Sequence, residues 1–290
     1  MPVANPSIGY RLASNRTPRR RPDLLRSPRL LFAPGGINSQ VDFWEHSAFN
    51  PFDLADEFMV IGMNQRNADR SPAPLEPPTW DLTVADQLAV LDAISVERTL
   101  LWGGCIGVAY LLRFIKQAPA RVAGAVGQNP VGFVDGLNSR ETFFAMMRPT
   151  IDAARAGGMS AVVDAAMQNP MFVRNNAAGP FAARIHDDEA FRKEVLQMDP
   201  AAYEQLIRQY DDNLWGAEVP YCSVDAAFVP TITTPLLILP GDDPFHPTPI
   251  AERIGREASN ARCLDRSAWE PANHDATMTI IRHFLRASAR

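Results

Sequence analysis

The sequence predicts an α/β fold in which a mostly parallel central sheet is interrupted by an inserted helical cap. Short apolar runs end at glycines or polar residues, helical segments alternate with these runs, and residues 131–230 have helical patterns only. The chain has 290 residues, of which 46% are hydrophobic and 21% are charged, so it is long enough to bury a sizeable core. We divide it into an Arg/Pro-rich leader at 1–28, a core at 29–130 and 231–290, and the cap.

The first half of the chain alternates between strand and helix patterns. The predicted segments, in chain order, are strand 30–34, strand 58–63, helix 80–95, strand 99–102, helix 108–115 and strand 122–126. Strand, helix and strand in succession are typical of a parallel sheet, because parallel neighbours need a long crossover connection.

The second half begins with the cap and returns to the sheet pattern. The cap region is rich in Ala, Met and Phe, and we expect its helices to break at Gly157-Gly158, Asn169-Pro170 and Asp199-Pro200. The segments predicted after the cap are strand 235–241, helix 248–258, strand 261–264 and helix 276–287.

Composition argues against several classes of partner and cofactor. The net charge of −5 disfavours nucleic-acid binding, and no apolar run approaches the length of a membrane span. Residues 1–30 hold seven arginines and several prolines, so a solvated strand and loop is favoured over an organelle transit peptide, which needs an amphipathic helix. We expect a small-molecule substrate, no cofactor and no metal, and leave a homo-oligomer open.

The three cysteines, Cys105, Cys222 and Cys263, are too scattered for a disulfide framework. We therefore expect a reduced, cytoplasmic protein. Small buried side chains are the favoured interpretation for Cys222 and Cys263, because no turn or histidine motif surrounds them.

The motif Gly103-Gly104-Cys105-Ile106-Gly107 gives Cys105 a different interpretation. It stands where a predicted strand must turn into a helix, and its glycines would let backbone pass close by without a Cβ clash. A thiol at a helix N-terminus is favoured as the thiolate, because the helix dipole and the free N–H groups stabilise negative charge. Cys105 is therefore the candidate nucleophile.

Two turns near the start of the core carry a family pattern. Gly35-Gly36 follows the first predicted core strand, although a simple turn is the alternative interpretation, and residues 64–71 follow the second strand. With the Cys105 turn, they resemble the α/β-hydrolase superfamily from about Arg29 to Leu285. The family's Asp-x-Arg-Gly-x-Gly-x-Ser turn is degenerate here, since only Arg66 and Ser71 match it.

The resemblance continues after the cap. The run Gly241-Asp242-Asp243-Pro244-Phe245-His246-Pro247 resembles the loop that carries the catalytic acid of the family, and Asp243 is the residue in register. His274 precedes the last predicted helix, where the family places its catalytic histidine. The resemblance thus implies a triad of Cys105, His274 and Asp243, in which the histidine is the base and the carboxylate orients it.

Each of these two assignments has a competitor. Asp242 would replace Asp243 if the loop were shifted by one residue, and otherwise is a solvated turn carboxylate. His246 is the second-choice histidine, because it lies in the acid loop rather than before the last helix.

The resemblance also implies an oxyanion hole and a reaction. The backbone N–H of Ile106 should stabilise the oxyanion together with an N–H from Gly36 or Ile37. A cysteine nucleophile suits hydrolysis of an ester, a thioester or a lactone through a thioester on the protein. An acyltransferase with the same triad is the first alternative, and a ligand-binding or scaffold protein with a lapsed site is the second.

Overall fold

A parallel sheet with one antiparallel edge strand forms the centre of the molecule. The computed structural model describes residues 10–13, 30–33, 41–68 and 71–290. Its strands are β1 (Tyr10–Ala13), β2 (Leu30–Ala33), β3 (Met59–Met63), β4 (Thr99–Gly104), β5 (Val122–Gln128), β6 (Leu236–Leu239) and β7 (Ala261–Cys263). Within these residues the strand order is β1-β3-β2-β4-β5-β6-β7. Only β1 is antiparallel to its neighbour, β3, and the remaining pairs are parallel.

Helices flank the sheet and fill the insertion between β5 and β6. They are α1 (Trp80–Ala93), α2 (Ile106–Gln117), α3 (Arg140–Gln168), α4 (Ala182–Asp187), α5 (Glu189–Leu196), α6 (Pro200–Trp215), α7 (Thr248–Glu257) and α8 (His274–Ser288). We call α3 to α6 the cap helices. In the described part of the chain, no helix combines the length and the apolar character that crossing a membrane requires.

The predicted order of strands and helices is confirmed, including the helical insertion. Two of the expected breaks have clear local causes. Helix α3 is kinked at Gly158, whose φ of 66° lies outside the helical region, and α6 begins at Pro200 with the Asp199 side chain capping the N–H groups of Ala201 and Ala202.

Buried apolar side chains cover both faces of the sheet and fill the insertion. Helices α1, α2 and α7 pack on one face, and α8 packs on the other with the 3-10 turns of residues 41–54. A further cluster, which we call the cap cluster, joins the cap helices to Ile106 and Tyr110 of α2. The cap helices therefore pack against the beginning of α2, where Cys105 precedes the helix.

The two matching residues of the degenerate family turn have structural roles. The Arg66 guanidinium donates from Nε and Nη2 to the two carboxylate oxygens of Asp86, at 2.8 and 3.0 Å. Both side chains are buried, at 6% and 2% exposure. The Ser71 hydroxyl donates to the carbonyl of Asn64 at 3.1 Å and closes the turn. A buried, bidentate ion pair thus ties the turn after β3 to α1.

Candidate active site

Cys105 lies at a sharp turn between β4 and α2. Its backbone has φ 57° and ψ −126°, an unfavourable conformation for a residue with a side chain. The turn is fixed by a 3.0 Å hydrogen bond from the Cys105 N–H to the carbonyl of Gln128, at the end of β5. A Cβ on Gly103 would lie 2.3 Å from the carbonyl oxygen of Gly107. The close backbone approach that the sequence predicts is therefore present, and it requires glycine at 103.

Asp243 and His246 are joined within one loop. The carboxylate Oδ2 of Asp243 lies 2.7 Å from Nδ1 of His246. Oδ1 of the same carboxylate accepts the backbone N–H groups of Phe245 and His246, at 2.8 and 3.0 Å. These three bonds fix the loop conformation and the direction of the imidazole, whose side chain is only 16% exposed.

Cys105 lies on the other side of the His246 ring. Because Nδ1 is bonded to Asp243, the nitrogen available to the sulfur is Nε2, which is buried and makes no well-directed hydrogen bond. Burial disfavours the charged ring, but interactions with the Cys105 sulfur and with Asp243 outweigh it and raise the pKa of His246 to about 10. The same hydrogen bond from His246 lowers the pKa of Asp243 to about 2.

The structure does not bring His274, the first-choice histidine of the sequence analysis, into this group. His274 begins α8, and its ring stacks on Phe49 with a centroid distance of 5.2 Å. Its Nε2 lies 3.1 Å from the carbonyl oxygen of Ala48 and its Nδ1 lies 3.3 Å from Asp275. The expected pairing of His274 with Asp243 is thus corrected, because the turn from 243 to 246 already supplies a histidine to the same carboxylate.

The remaining predicted site residues have separate positions. The Asp242 side chain is exposed and forms an ion pair with Arg266, so it does not replace Asp243 at the imidazole. Ile106 is the first residue of α2, where a backbone N–H has no partner within the helix. Gly36 and Ile37, the other predicted oxyanion residues, lie outside the described residues.

Two buried groups, Tyr110 and Cys222, lie near Cys105, and the sequence patterns did not place them there. Burial raises the pKa of the Tyr110 hydroxyl above its ordinary value, and the neighbouring Cys105 raises it further. Burial and then Cys105 likewise raise the pKa of the Cys222 thiol well above its ordinary value. Cys222 is buried in the cap cluster, and Cys263 is half-buried with its pKa raised to about 11 by burial. Both findings agree with the interpretation of these two cysteines as packing residues.

Aromatic rings extend from the His246 loop through the cap cluster to Tyr110. Phe143 stacks on Trp215 with a centroid distance of 4.4 Å and meets the edge of Phe245 at 5.9 Å. Trp80 contacts Trp215 at 6.0 Å and Tyr110 at 5.4 Å. Cys105 itself is partly buried and packs against the same cluster. The surroundings of the thiol on the cap side are therefore largely apolar and aromatic.

Comparison with known proteins agrees with this architecture. Residues 28–212 match the model of the alpha/beta hydrolase fold family, which is more than half of the chain. The chain therefore belongs to the α/β-hydrolase family. None of the curated protein sequences matches it.

Several solved structures share the fold across nearly the whole chain. The enol-lactonase from Burkholderia xenovorans LB400 is 17% identical with a TM-score of 0.56, over 96% of each chain. The thermophilic esterase from Thermogutta terrifontis is 16% identical with a TM-score of 0.59, over 98% of this chain and 94% of that chain. The esterase RhEst1 from Rhodococcus sp. ECU1013 is 16% identical with a TM-score of 0.55, over 96% and 94% respectively. At such identities the similarity concerns the fold.

Proposed function

We propose that the protein hydrolyses esters, thioesters or lactones through a thioester intermediate on Cys105, with His246 as the base and Asp243 as its orienting carboxylate. The observation that carries the proposal is the series of contacts from Asp243 through His246 to Cys105 at the start of α2. A nucleophile, a base and an orienting acid are the three parts that acyl transfer needs. The nucleophile and acid are those of the sequence interpretation, and the base moves from His274 to His246.

In the acylation step, Cys105 Sγ, whose proton is held by His246 Nε2, forms a bond to the substrate carbonyl carbon. The π electron pair of the carbonyl moves to its oxygen, where the Ile106 N–H stabilises the charge. When the carbonyl re-forms, the bond to the leaving oxygen or sulfur breaks, and the imidazolium donates its proton to that atom. The acyl group is then held on Cys105 as a thioester.

Acylation also changes the base. Part of what raises the pKa of His246 to about 10 comes from the Cys105 sulfur, and an acylated sulfur carries no charge. Burial, which favours the neutral ring, is unaffected by acylation. The pKa of His246 therefore falls once the thioester has formed, and the neutral ring can accept a proton from water in the second step.

The surroundings of Cys105 favour an apolar acyl group. The thiol packs against the cap cluster, and aromatic side chains including Phe143, Trp215 and Phe245 lie between the cap helices and the His246 loop. Such surfaces bind apolar groups by burying them from water. The similar structures described as an enol-lactonase and as esterases are consistent with this substrate class.

A panel of acyl substrates tests this proposal by intact mass. The panel contains 4-nitrophenyl esters, N-acetylcysteamine thioesters and γ-lactones, with acyl chains of different length. We expect a transient adduct with the mass of the acyl group and release of the free acid. The adduct should be absent in Cys105→Ala and retained in Cys263→Ala, the matched control, since Cys263 is also only partly buried but lies on β7.

Each result of the panel discriminates among the candidate functions. Release of free acid with the adduct on Cys105 supports hydrolysis. Transfer of the acyl group mainly to an added alcohol, amine or thiol would favour an acyltransferase instead. If no substrate acylates the protein and Cys105 resists alkylation, the catalytic proposal fails and a lapsed site is favoured.

A further inference from the structure

Asn129 is a half-buried residue directly after β5, and the proposed acylation step does not use it. Its N–H continues the sheet by donating to the carbonyl of Leu239 at 2.8 Å. Its φ of 39° is uncommon for a residue with a side chain. Within the described residues, its side-chain oxygen Oδ1 is buried and has no hydrogen-bond partner. A buried acceptor of this kind usually bonds to water or to a ligand, because leaving it unpaired costs free energy.

Asn129 is a close neighbour of both His246 and the Cys105 turn. A Cβ on Gly241 would lie 2.4 Å from Cβ of His246 and 3.1 Å from Cβ of Asn129, so these two side chains both border Gly241. Gln128, the residue before Asn129, accepts the N–H of Cys105. Nε2 of His246, the nitrogen on the Cys105 side of the ring, is buried and makes no well-directed hydrogen bond among the described residues. The residues that carry these two buried groups, one group an acceptor and the other able to accept or donate, are therefore neighbours next to the Cys105 turn.

We propose that Asn129 Oδ1 and His246 Nε2 together hold the water molecule that hydrolyses the acyl-enzyme. The inference rests on the function proposed above and deepens it, since it makes water the acceptor for which this site is built. Two acceptors on one water molecule use both of its O–H groups, which directs an oxygen lone pair away from them. Such orientation is a principal source of catalytic rate.

The deacylation step then follows from these two contacts. The water oxygen forms a bond to the thioester carbonyl carbon as one proton passes to His246 Nε2, while the other O–H still donates to Asn129 Oδ1. The carbonyl electron pair moves to oxygen and returns when the C–S bond breaks. The sulfur leaves with the bonding pair and takes the proton back from His246, so that the free acid and the Cys105 thiol are restored.

Asn129→Gly tests this role with little effect on the backbone, because glycine adopts a φ of 39° without strain. With a 4-nitrophenyl ester that acylates the wild type, we expect the 4-nitrophenol burst to keep its rate. Decay of the adduct in water should slow by roughly 10- to 100-fold. Added hydroxylamine should still remove the adduct at close to the wild-type rate, so the ratio of hydroxamate to acid rises. Asn129→Asp, which keeps an acceptor oxygen, should restore most of the decay rate.

The outcomes separate this inference from the proposed function. Decay of the Asn129→Gly adduct at the wild-type rate would overturn the role of Asn129 and leave the Cys105 intermediate intact. Equal slowing of acylation, water decay and hydroxylamine release would also overturn it, because a general disturbance of the site would then explain the loss. If the wild type forms no adduct, the proposed function itself fails.

Discussion

Replacing His246 with glutamine is expected to lower kcat/KM for ester cleavage by about 10³-fold, a typical effect of removing a general base. Glutamine keeps much of the bulk of the ring, but it cannot accept the proton of the thiol or return it to the leaving group. His246 is the histidine that the structure places between Asp243 and Cys105. Steady-state kinetics on one 4-nitrophenyl ester measure the effect. Circular dichroism checks that the variant and the wild type are equally folded.

His274→Gln is the matched control for this prediction. His274 contacts Phe49, the Ala48 carbonyl and Asp275, all outside the group formed by Asp243, His246 and Cys105. We expect its kcat/KM to stay within about threefold of the wild type, as for a substitution that leaves the reacting groups in place. The reverse pattern, with His274→Gln inactive and His246→Gln active, would restore the sequence-based assignment.

Asp86→Ala is expected to destabilise the fold by about 3–5 kcal/mol, because it leaves the buried Arg66 guanidinium without its bidentate partner. Replacing the whole pair would cost less, since no unpaired charge would then be buried. Urea unfolding of the wild type and of Asp86→Ala, followed by circular dichroism, gives the difference between their free energies of unfolding.

Asp92→Ala provides the comparison for this stability prediction. Asp92 is also on α1 and is also paired with an arginine, Arg121, but its side chain is 64% exposed. An exposed pair of this kind contributes about 0–1 kcal/mol. If Asp86→Ala and Asp92→Ala lowered the free energy of unfolding equally, the burial of the Arg66–Asp86 pair would not add to its contribution to stability.

The succession of strands and helices along the chain and the Cys105 turn could be predicted because their signals are local. Apolar runs that end at glycine mark strands such as β3 and β4, and the backbone of Gly103 and Gly107 comes too close for a side chain. A short sequence segment contains all the residues that determine such features. Helical periodicity was likewise enough to predict the cap helices. It did not predict which of their side chains face the thiol.

The choice of histidine could not be predicted, because it depends on contacts between distant segments. His274 has the sequence position that the family resemblance favours, yet its ring is held by residues 48 and 49. One local signal did favour His246. It follows Asp243 by three residues in a turn in which that carboxylate accepts the N–H groups of residues 245 and 246. Such a turn brings the carboxylate and the imidazole together within one loop.

Alkylation of Cys105 by iodoacetamide at pH 6 tests the Cys105–His246 pair most directly, since it needs no knowledge of the substrate. Mass spectrometry of the Cys105 peptide gives the rate. We predict that His246→Gln lowers this rate by about tenfold or more, because the thiolate is the reactive form and an adjacent imidazolium stabilises it. His274→Gln should alkylate at the wild-type rate. An unchanged rate in His246→Gln, together with a fall in His274→Gln, would contradict the pairing on which the proposed mechanism depends.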